Sequence, residues 1–129
     1  MQLFELFETI QALTWKMPRD DGYKRVMIDV SKLDASWSRD KGFYITPGGG
    51  GDSIKGRYQR FGEWLKQGLP VEMPEVSFND WHKCISFGNG RHRFAYFRDN
   101  GVKRLPVCVT EEQADYIKEH FGQSGYHDA

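Results

Sequence analysis

Residues 83–110 read KCISFGNGRHRFAYFRDNGVKRLPVCVT. Their first part, 83–87, is an apolar-rich run typical of a strand, and the glycine turn at 88–90 ends it. Residues 91–100 then show helical periodicity, and residues 105–109 form a second strand of the buried type. The stretch therefore predicts a strand, a glycine turn, a helix and another strand.

The N-terminal end of the predicted helix is the candidate binding site. A helix that begins on a glycine turn leaves several backbone N–H groups unpaired, with the positive end of the helix dipole behind them. Two guanidinium groups and an imidazole lie at that same end, which predicts an anion site and most simply a phosphate site. The predicted phosphate-binding residues here are Gly88, Asn89, Gly90, Arg91, His92 and Arg93. The alternative is a common strand–turn–helix unit with solvated arginines.

A second glycine-rich turn, TPGGGGDS at residues 46–53, precedes a predicted helix over residues 54–67. Four consecutive glycines cost backbone entropy, and they suit either a mobile surface loop or a loop that approaches a ligand closely. Under the second interpretation the turn is another phosphate cradle. Its predicted binding residues are Gly50, Gly51, Lys55 and Arg57.

The remaining chain supplies the other elements of one α/β domain of mixed α+β type, over residues 1–129. We expect a mixed sheet of about four strands with flanking helices. The predicted pieces are an amphipathic helix and turn within 1–22, a strand over 23–33, a loop over 35–52, a short strand over 76–78, a helix over 111–121 opened by a capping box from Thr110 to Gln113, and a flexible tail over 123–129.

Composition bounds the possible partners. Lysine plus arginine equals aspartate plus glutamate at 18 each, so polyanion binding would need a local basic patch. Cys84 and Cys108 both fall in predicted strands, and we expect buried free thiols rather than a disulfide. Neither a membrane-spanning segment nor a secretory signal is recognisable. The expected location is the cytoplasm, without membrane insertion.

The segment ISFGNGRHRFAYFRDNGVKRLPVCV resembles the signature of the ParB/sulfiredoxin superfamily: a Gly-x-x-Arg turn at residues 90–93, a later glycine at Gly101 and a short strand at 105–107. The likeness is greatest to plasmid fertility inhibition factors of the Osa type, whose turn also looks like Gly-Arg-His-Arg. This resemblance implies a ParB/sulfiredoxin-like fold that binds ATP or another nucleotide through the turn. It further implies ATP hydrolysis, DNA cleavage and a block on conjugative or T-DNA transfer.

The sequence differs from the superfamily in two ways, and each difference argues against one activity known in its members. Sulfiredoxins carry a cysteine directly after the turn glycine, and Arg91 stands at that position, so sulfinic-acid reduction is not expected. Partition-type ParB proteins carry a helix-turn-helix reader downstream. Because only about twenty residues follow Val109, we do not expect that reader here.

If both glycine turns flank one cleft, the arginines would hold phosphate and His92 could act as a general acid or base. Asp52 or Asp80 could hold Mg²⁺ through phosphate oxygens, without a dedicated cluster of metal ligands. Two other interpretations stay open: His92 as a helix-surface residue, and Arg93 in a structural ion pair. The predicted catalytic residues are therefore His92, Asp52 and Asp80.

Three functions remain open at this level. The first is a nucleotide-dependent ATPase or DNase. The second is a non-catalytic nucleotide-binding module whose aromatic surface, formed by Trp15, Trp37 and Trp64, docks on a conjugation or type IV secretion component. The third, and weakest, is a partition-like DNA binder, because no second helix has a strongly basic flank.

Overall fold

A computed structural model of the protein describes residues 13–50, 54 and 56–122. A four-stranded mixed sheet forms its centre, in the strand order β2-β6-β4-β5, and β1 pairs in parallel with β3 beside it. The strands are β1 (Trp15–Lys16), β2 (Tyr23–Asp29), β3 (Val71–Glu72), β4 (Glu75–Asn79), β5 (Cys84–Asn89) and β6 (Arg104–Thr110). The helices are α1 (Val30–Trp37), α2 (Arg57–Leu65), α3 (Arg91–Asp99) and α4 (Glu111–Phe121). The predicted mixed α/β fold is confirmed.

Strand β6 is the axis of the sheet. It runs antiparallel to β2 and parallel to β4, and β4 continues antiparallel into β5. Its residues from Leu105 to Val109 are all buried, which explains the unbroken apolar run in the sequence. The predicted unit of strand, turn, helix and strand is therefore confirmed as β5, α3 and β6, with each strand slightly longer than expected.

The prediction of one strand over residues 23–33 was wrong at its C-terminal end, because residues 30–37 form helix α1. This helix also includes the first residues of the predicted loop over 35–52. Strand β2 stops at Asp29, whose side chain accepts a hydrogen bond from the Lys32 amide at 2.9 Å and so caps α1. The inward face of α1 carries Val30, Leu33 and Trp37, all buried. These three residues have the spacing of the apolar face of a helix, which could have been recognised in the sequence.

The helix predicted over residues 54–67 also begins later than expected. Gly56 has a φ of +84°, in the left-handed region, so the helical conformation starts only at Arg57. Asp52 and Ser53 precede this helix in the sequence. These two residues lie outside the described part of the chain, as do the predicted N-terminal helix up to residue 12 and the predicted tail from residue 123.

The structure also bears on the predictions about the cysteines and about membrane-spanning segments. Both cysteines are free and buried, Cys84 at the start of β5 and Cys108 within β6, as predicted. Among the helices of the described residues, none has the length and apolar character needed to cross a membrane.

Helix α4 spans the predicted residues, but its predicted capping box does not form. Thr110 makes no side-chain capping hydrogen bond. Gln113 instead turns toward the sheet, where its side chain accepts from the Phe78 amide at 2.8 Å and donates to the Phe78 carbonyl at 3.0 Å. One side chain thereby joins α4 to β4, since it satisfies both backbone groups of a strand residue.

We expect Gln113→Ala to lower the free energy of unfolding by about 1–3 kcal/mol, because both backbone groups of Phe78 lose their partner. Urea denaturation measures the change. Glu112→Ala, in the same turn but exposed, is the matched control and should stay within about 0.5 kcal/mol of the wild type. Equal losses in the two variants would contradict this role for Gln113.

Candidate functional site

The site is organised by Gly90, which joins β5 directly to α3. Its φ of +85° lies in the left-handed region, and it precedes the helix without any side-chain cap. A Cβ atom at this position would lie 2.9 Å from the Pro74 Cα atom and 2.6 Å from Nη2 of Arg93. Glycine is required here by both backbone conformation and space. The uncapped start of α3 therefore stays close to Pro74 and to the Arg93 side chain.

A cleft of about 360 Å³ opens between the starts of α2 and α3. Its lining residues are Arg57, Arg60, Phe61, Trp64, Asn89, Gly90, His92 and Arg93. The structure thus brings Arg57, from the second predicted cradle, to the first. Gly50 and Gly88 do not line the cleft, and both are exposed. Gly51, Asp52 and Lys55 lie outside the described residues.

The cleft is strongly positive. Three arginines and no carboxylate are among the residues that line it in the described chain. Arg57 and Arg60 are exposed, and neither makes a salt bridge with another described residue. Arg60, three residues after Arg57 on α2, was missed by sequence analysis, although helical spacing places both on one face.

Arg93 is held from one side only. Its Nε donates to the backbone carbonyl of Glu72 at 3.1 Å, so the hydrogen bond does not neutralise its charge. Its Nη2 atom is buried and has no hydrogen-bond partner among the described residues. Burial lowers the pKa of Arg93, while the charge of Glu72 opposes that shift. A half-buried cation with a buried, unsatisfied donor atom is the local condition that a bound anion would relieve.

Arg91 has a different surrounding from Arg93. Its Nη1 donates to the Phe43 carbonyl at 2.9 Å, and its guanidinium carbon lies 5.6 Å from the centre of the Phe43 ring. The side chain is outside the lining of the cleft in the described structure. Arg91 contributes its charge at a distance, whereas Arg93 lies within the cleft.

His92 is buried, with 7% of its surface exposed, which differs from the helix-surface alternative. Its Nε2 accepts a hydrogen bond from the Ile54 amide at 2.8 Å. Burial and then the charges of Arg91, Arg57 and Arg93 lower the pKa of His92 to about 4. The imidazole is therefore neutral at pH 7 and its Nε2 lone pair is occupied. The predicted catalytic role of His92 stays a prediction. The hydrogen bond from the Ile54 amide favours a structural role instead, in which His92 holds the loop before α2.

The other end of α3 contains a polar network that sequence analysis missed. Arg98 is half-buried and forms ion pairs with Asp34 and Asp99, at 3.0 and 2.8 Å. Asp99 also accepts from the Gly48 amide at 2.9 Å and the Tyr58 hydroxyl at 2.8 Å. Burial alone would raise the pKa of Asp99, but these hydrogen bonds, that of Arg98 first, lower it. The network ties the glycine loop and α2 to α3.

Asp80 lies far from the cleft. It is in the turn between β4 and β5, whereas Gly90 follows the opposite end of β5. Six extended residues separate the two ends by roughly 20 Å, so Asp80 cannot hold a magnesium ion against phosphate in this cleft. No group of three or more potential metal ligands occurs in the portion of the chain that the structure describes.

The proposed aromatic docking surface also differs from expectation. Trp37 is fully buried in the core, so it cannot contact a partner. Trp15 and Trp64 are half-buried, and Trp64 lines the cleft. Trp81, which was not singled out from the sequence, is 89% exposed at the β4–β5 turn.

Fold and cleft together describe a small mixed α/β domain with an arginine-lined cleft. Residues 26–122 match the plasmid fertility inhibition factor family, and the chain belongs to that family. The predicted likeness to fertility inhibition factors is therefore confirmed. The broader likeness to the ParB/sulfiredoxin superfamily stays a prediction.

A solved structure is similar over much of the chain. It is the gold(I) cyanide derivative of the oncogenic suppression activity protein, which is described as a plasmid fertility inhibition factor. The TM-score is 0.63 at 15% sequence identity, over 83% of this chain and 61% of that chain. At this identity the similarity concerns the fold, and this chain corresponds to only part of that longer protein. A search of curated proteins gave no match.

We expect Gly90→Ala to destabilise the protein more than Gly101→Ala. Both glycines have a left-handed φ, of +85° and +84°, and that conformation costs an L-residue about 1–2 kcal/mol. Only Gly90 also faces a backbone atom of Pro74, while a Cβ at Gly101 would meet nothing within 4 Å. Thermal unfolding measures the difference, and equal melting temperatures would refute the close approach.

The lowered pKa of His92 predicts a pH dependence of stability. The unfolded chain binds the His92 proton near pH 6.5, whereas the folded chain binds it only near pH 4. Protonation therefore favours unfolding, and this contribution to stability is lost as the pH falls from about 6.5 to about 4. His92→Gln keeps an acceptor for the Ile54 amide without the titration.

The free energy of unfolding of His92→Gln should consequently fall less steeply than that of the wild type over this pH range. His82→Gln, at an exposed site in the β4–β5 turn, is the control and should follow the wild-type curve. Parallel curves for the wild type and His92→Gln would show that His92 titrates normally.

Proposed function

We propose that this fertility inhibition factor binds the phosphate groups of a nucleotide or of DNA in the cleft between α2 and α3. Binding there serves the inhibition of conjugative DNA transfer. In this proposal the phosphate oxygens accept from Arg57, Arg60 and Arg93 and from the backbone amides that open α3.

One observation carries the proposal. Arg93 is half-buried in a cleft with two further arginines, its buried Nη2 atom lacks a partner among the described residues, and the lining contains no carboxylate. Structural arginines are usually compensated by acidic groups, because an isolated buried charge is costly. A ligand with negatively charged oxygens would supply that compensation.

The biological role rests on membership of the family and on the resemblance of the turn. The family is named for inhibition of plasmid fertility, and we infer that the chain acts on plasmid transfer in the cytoplasm. The target under this proposal is the transferred DNA or a component of the conjugation or type IV secretion apparatus. The wider relationship to nucleotide-binding ParB/sulfiredoxin domains belongs to the same proposal.

Catalysis is a separate question from binding. The resemblance implies ATP hydrolysis and DNA cleavage with Mg²⁺, in which Asp52, outside the described residues, would be the candidate carboxylate. The hydrogen bond from the Ile54 amide to His92 favours a second candidate function, a binding module without turnover. Release of phosphate from ATP by purified protein, with a contaminating nuclease excluded, separates these two functions.

The double variant Arg57→Gln/Arg60→Gln should bind ATP at least tenfold more weakly, because each charge-assisted hydrogen bond contributes about 1.5–3 kcal/mol. Calorimetry at fixed salt measures the affinity. The control Lys103→Gln/Arg104→Gln removes the same charge at the other end of α3 and should change affinity little.

The same pair of variants tests the biological role. Expression of the wild type in donor cells should lower plasmid transfer, and Arg57→Gln/Arg60→Gln should restore transfer while the control variant still inhibits. Equal inhibition by the two double variants would reject the cleft as the site of action. Equal ATP affinity would reject the proposed phosphate site itself.

A further inference from the structure

The arginine-lined cleft continues into a second hollow of about 290 Å³. The second hollow is lined by Lys16, Phe61, Trp64, Pro70, Glu72 and Arg93. Phe61, Trp64 and Arg93 line both spaces. The two hollows are therefore neighbouring parts of one groove, with Arg93 and the two aromatic rings at the junction.

Helix α2 gives this groove a direction. Arg57, Arg60 and Trp64 follow one another at intervals of three and four residues, so they share a face of the helix. The two arginines come first and the tryptophan comes last, over a length of roughly 10 Å. The groove is cationic toward the start of α2. Toward the end of α2 it is aromatic, beside the exposed ion pair of Lys16 with Glu72 at 3.8 Å.

Trp64 is held firmly in this position. Its ring stacks on Phe61 with centroids 5.8 Å apart and an angle of 22° between the planes. Phe61 in turn packs against Tyr96 and Phe97 of α3, at 5.6 and 5.4 Å. Trp64 itself is only half-buried and lines both hollows. An accessible aromatic ring that packs on a second ring and lies beside guanidinium groups suits the stacking of a flat heterocycle.

We infer that Trp64 is a base-binding subsite, in which a nucleobase stacks on the indole while the attached phosphate lies among Arg57, Arg60 and Arg93. This inference rests on the proposed phosphate site and names the chemistry of its ligand: a nucleotide unit with an unpaired base. A free nucleotide and a single-stranded nucleic acid both present that unit. Duplex DNA does not, because its bases are already stacked inside the helix.

The test compares three ligands by calorimetry at one salt concentration: ATP, inorganic tripolyphosphate and a short single-stranded oligodeoxynucleotide. Trp64→Leu should weaken ATP binding roughly tenfold, in the range of measured base stacking. It should leave tripolyphosphate binding unchanged, which also shows that the phosphate site is still folded. Trp64→Phe should keep most of the ATP affinity, and Trp81→Leu, at the exposed turn, should keep all of it.

Several outcomes would overturn the inference. One is an equal effect of Trp64→Leu on ATP and on tripolyphosphate, which would make Trp64 a structural residue. Another is an unchanged ATP affinity in Trp64→Leu. Failure of the wild type to bind any of the three ligands would instead overturn the proposed function. If the tryptophan effect holds, the tighter of the ATP and oligonucleotide complexes identifies the source of the nucleotide unit.

Discussion

The structure depends on the way the chain passes through Gly90. A left-handed residue packed against the Pro74 backbone links the end of β5 to the first turn of α3. That link sets the direction of α3, so that its N-terminal end opens into the cleft. Helix α2 then packs across α3 through aromatic pairs, such as Tyr58 with Tyr96, and brings its own arginines to the same opening.

The two ends of α3 contrast in their electrostatics. At the C-terminal end, burial opposes the charge of Arg98, but hydrogen bonds with Asp99 and Asp34 raise its pKa above the ordinary value. At the N-terminal end, burial lowers the pKa of Arg93, and its hydrogen bond goes to an uncharged carbonyl. Arg98 is compensated by two ion pairs, whereas Arg93 makes no ion pair with another described residue and has only the more distant charge of Glu72. This difference indicates a structural role for Arg98 and supports the binding role that we propose for Arg93.

Most of the correct predictions came from local patterns in the sequence. The unit of β5, α3 and β6 is continuous in the chain, and its turn chemistry and periodicity lie within one short segment. The late start of α2 could not be anticipated, because the left-handed conformation of Gly56 depends on its surroundings. Helix α1 was overlooked although its apolar spacing was visible.

Contacts between residues that are far apart in the chain could not be predicted from the sequence. The partners of Arg98 include Asp34, sixty-four positions earlier, and nothing in either local sequence indicates that they meet. The same holds for Gln113, whose place in a plausible capping box concealed its contact with Phe78. At the cleft, Arg57 was predicted and Arg60 was not. The position of Asp80 at the far end of β5 became clear only from the sheet.

The most direct measurement of the central idea is amide chemical-shift mapping of the labelled protein during titration with inorganic phosphate and with ATP. We expect the largest, saturable changes at the amides of Arg91, His92 and Arg93, with further changes at the start of α2. Changes that map instead to the acidic opening of α4 around Glu111 and Glu112, or no saturable change at all, would contradict an anion site at the start of α3.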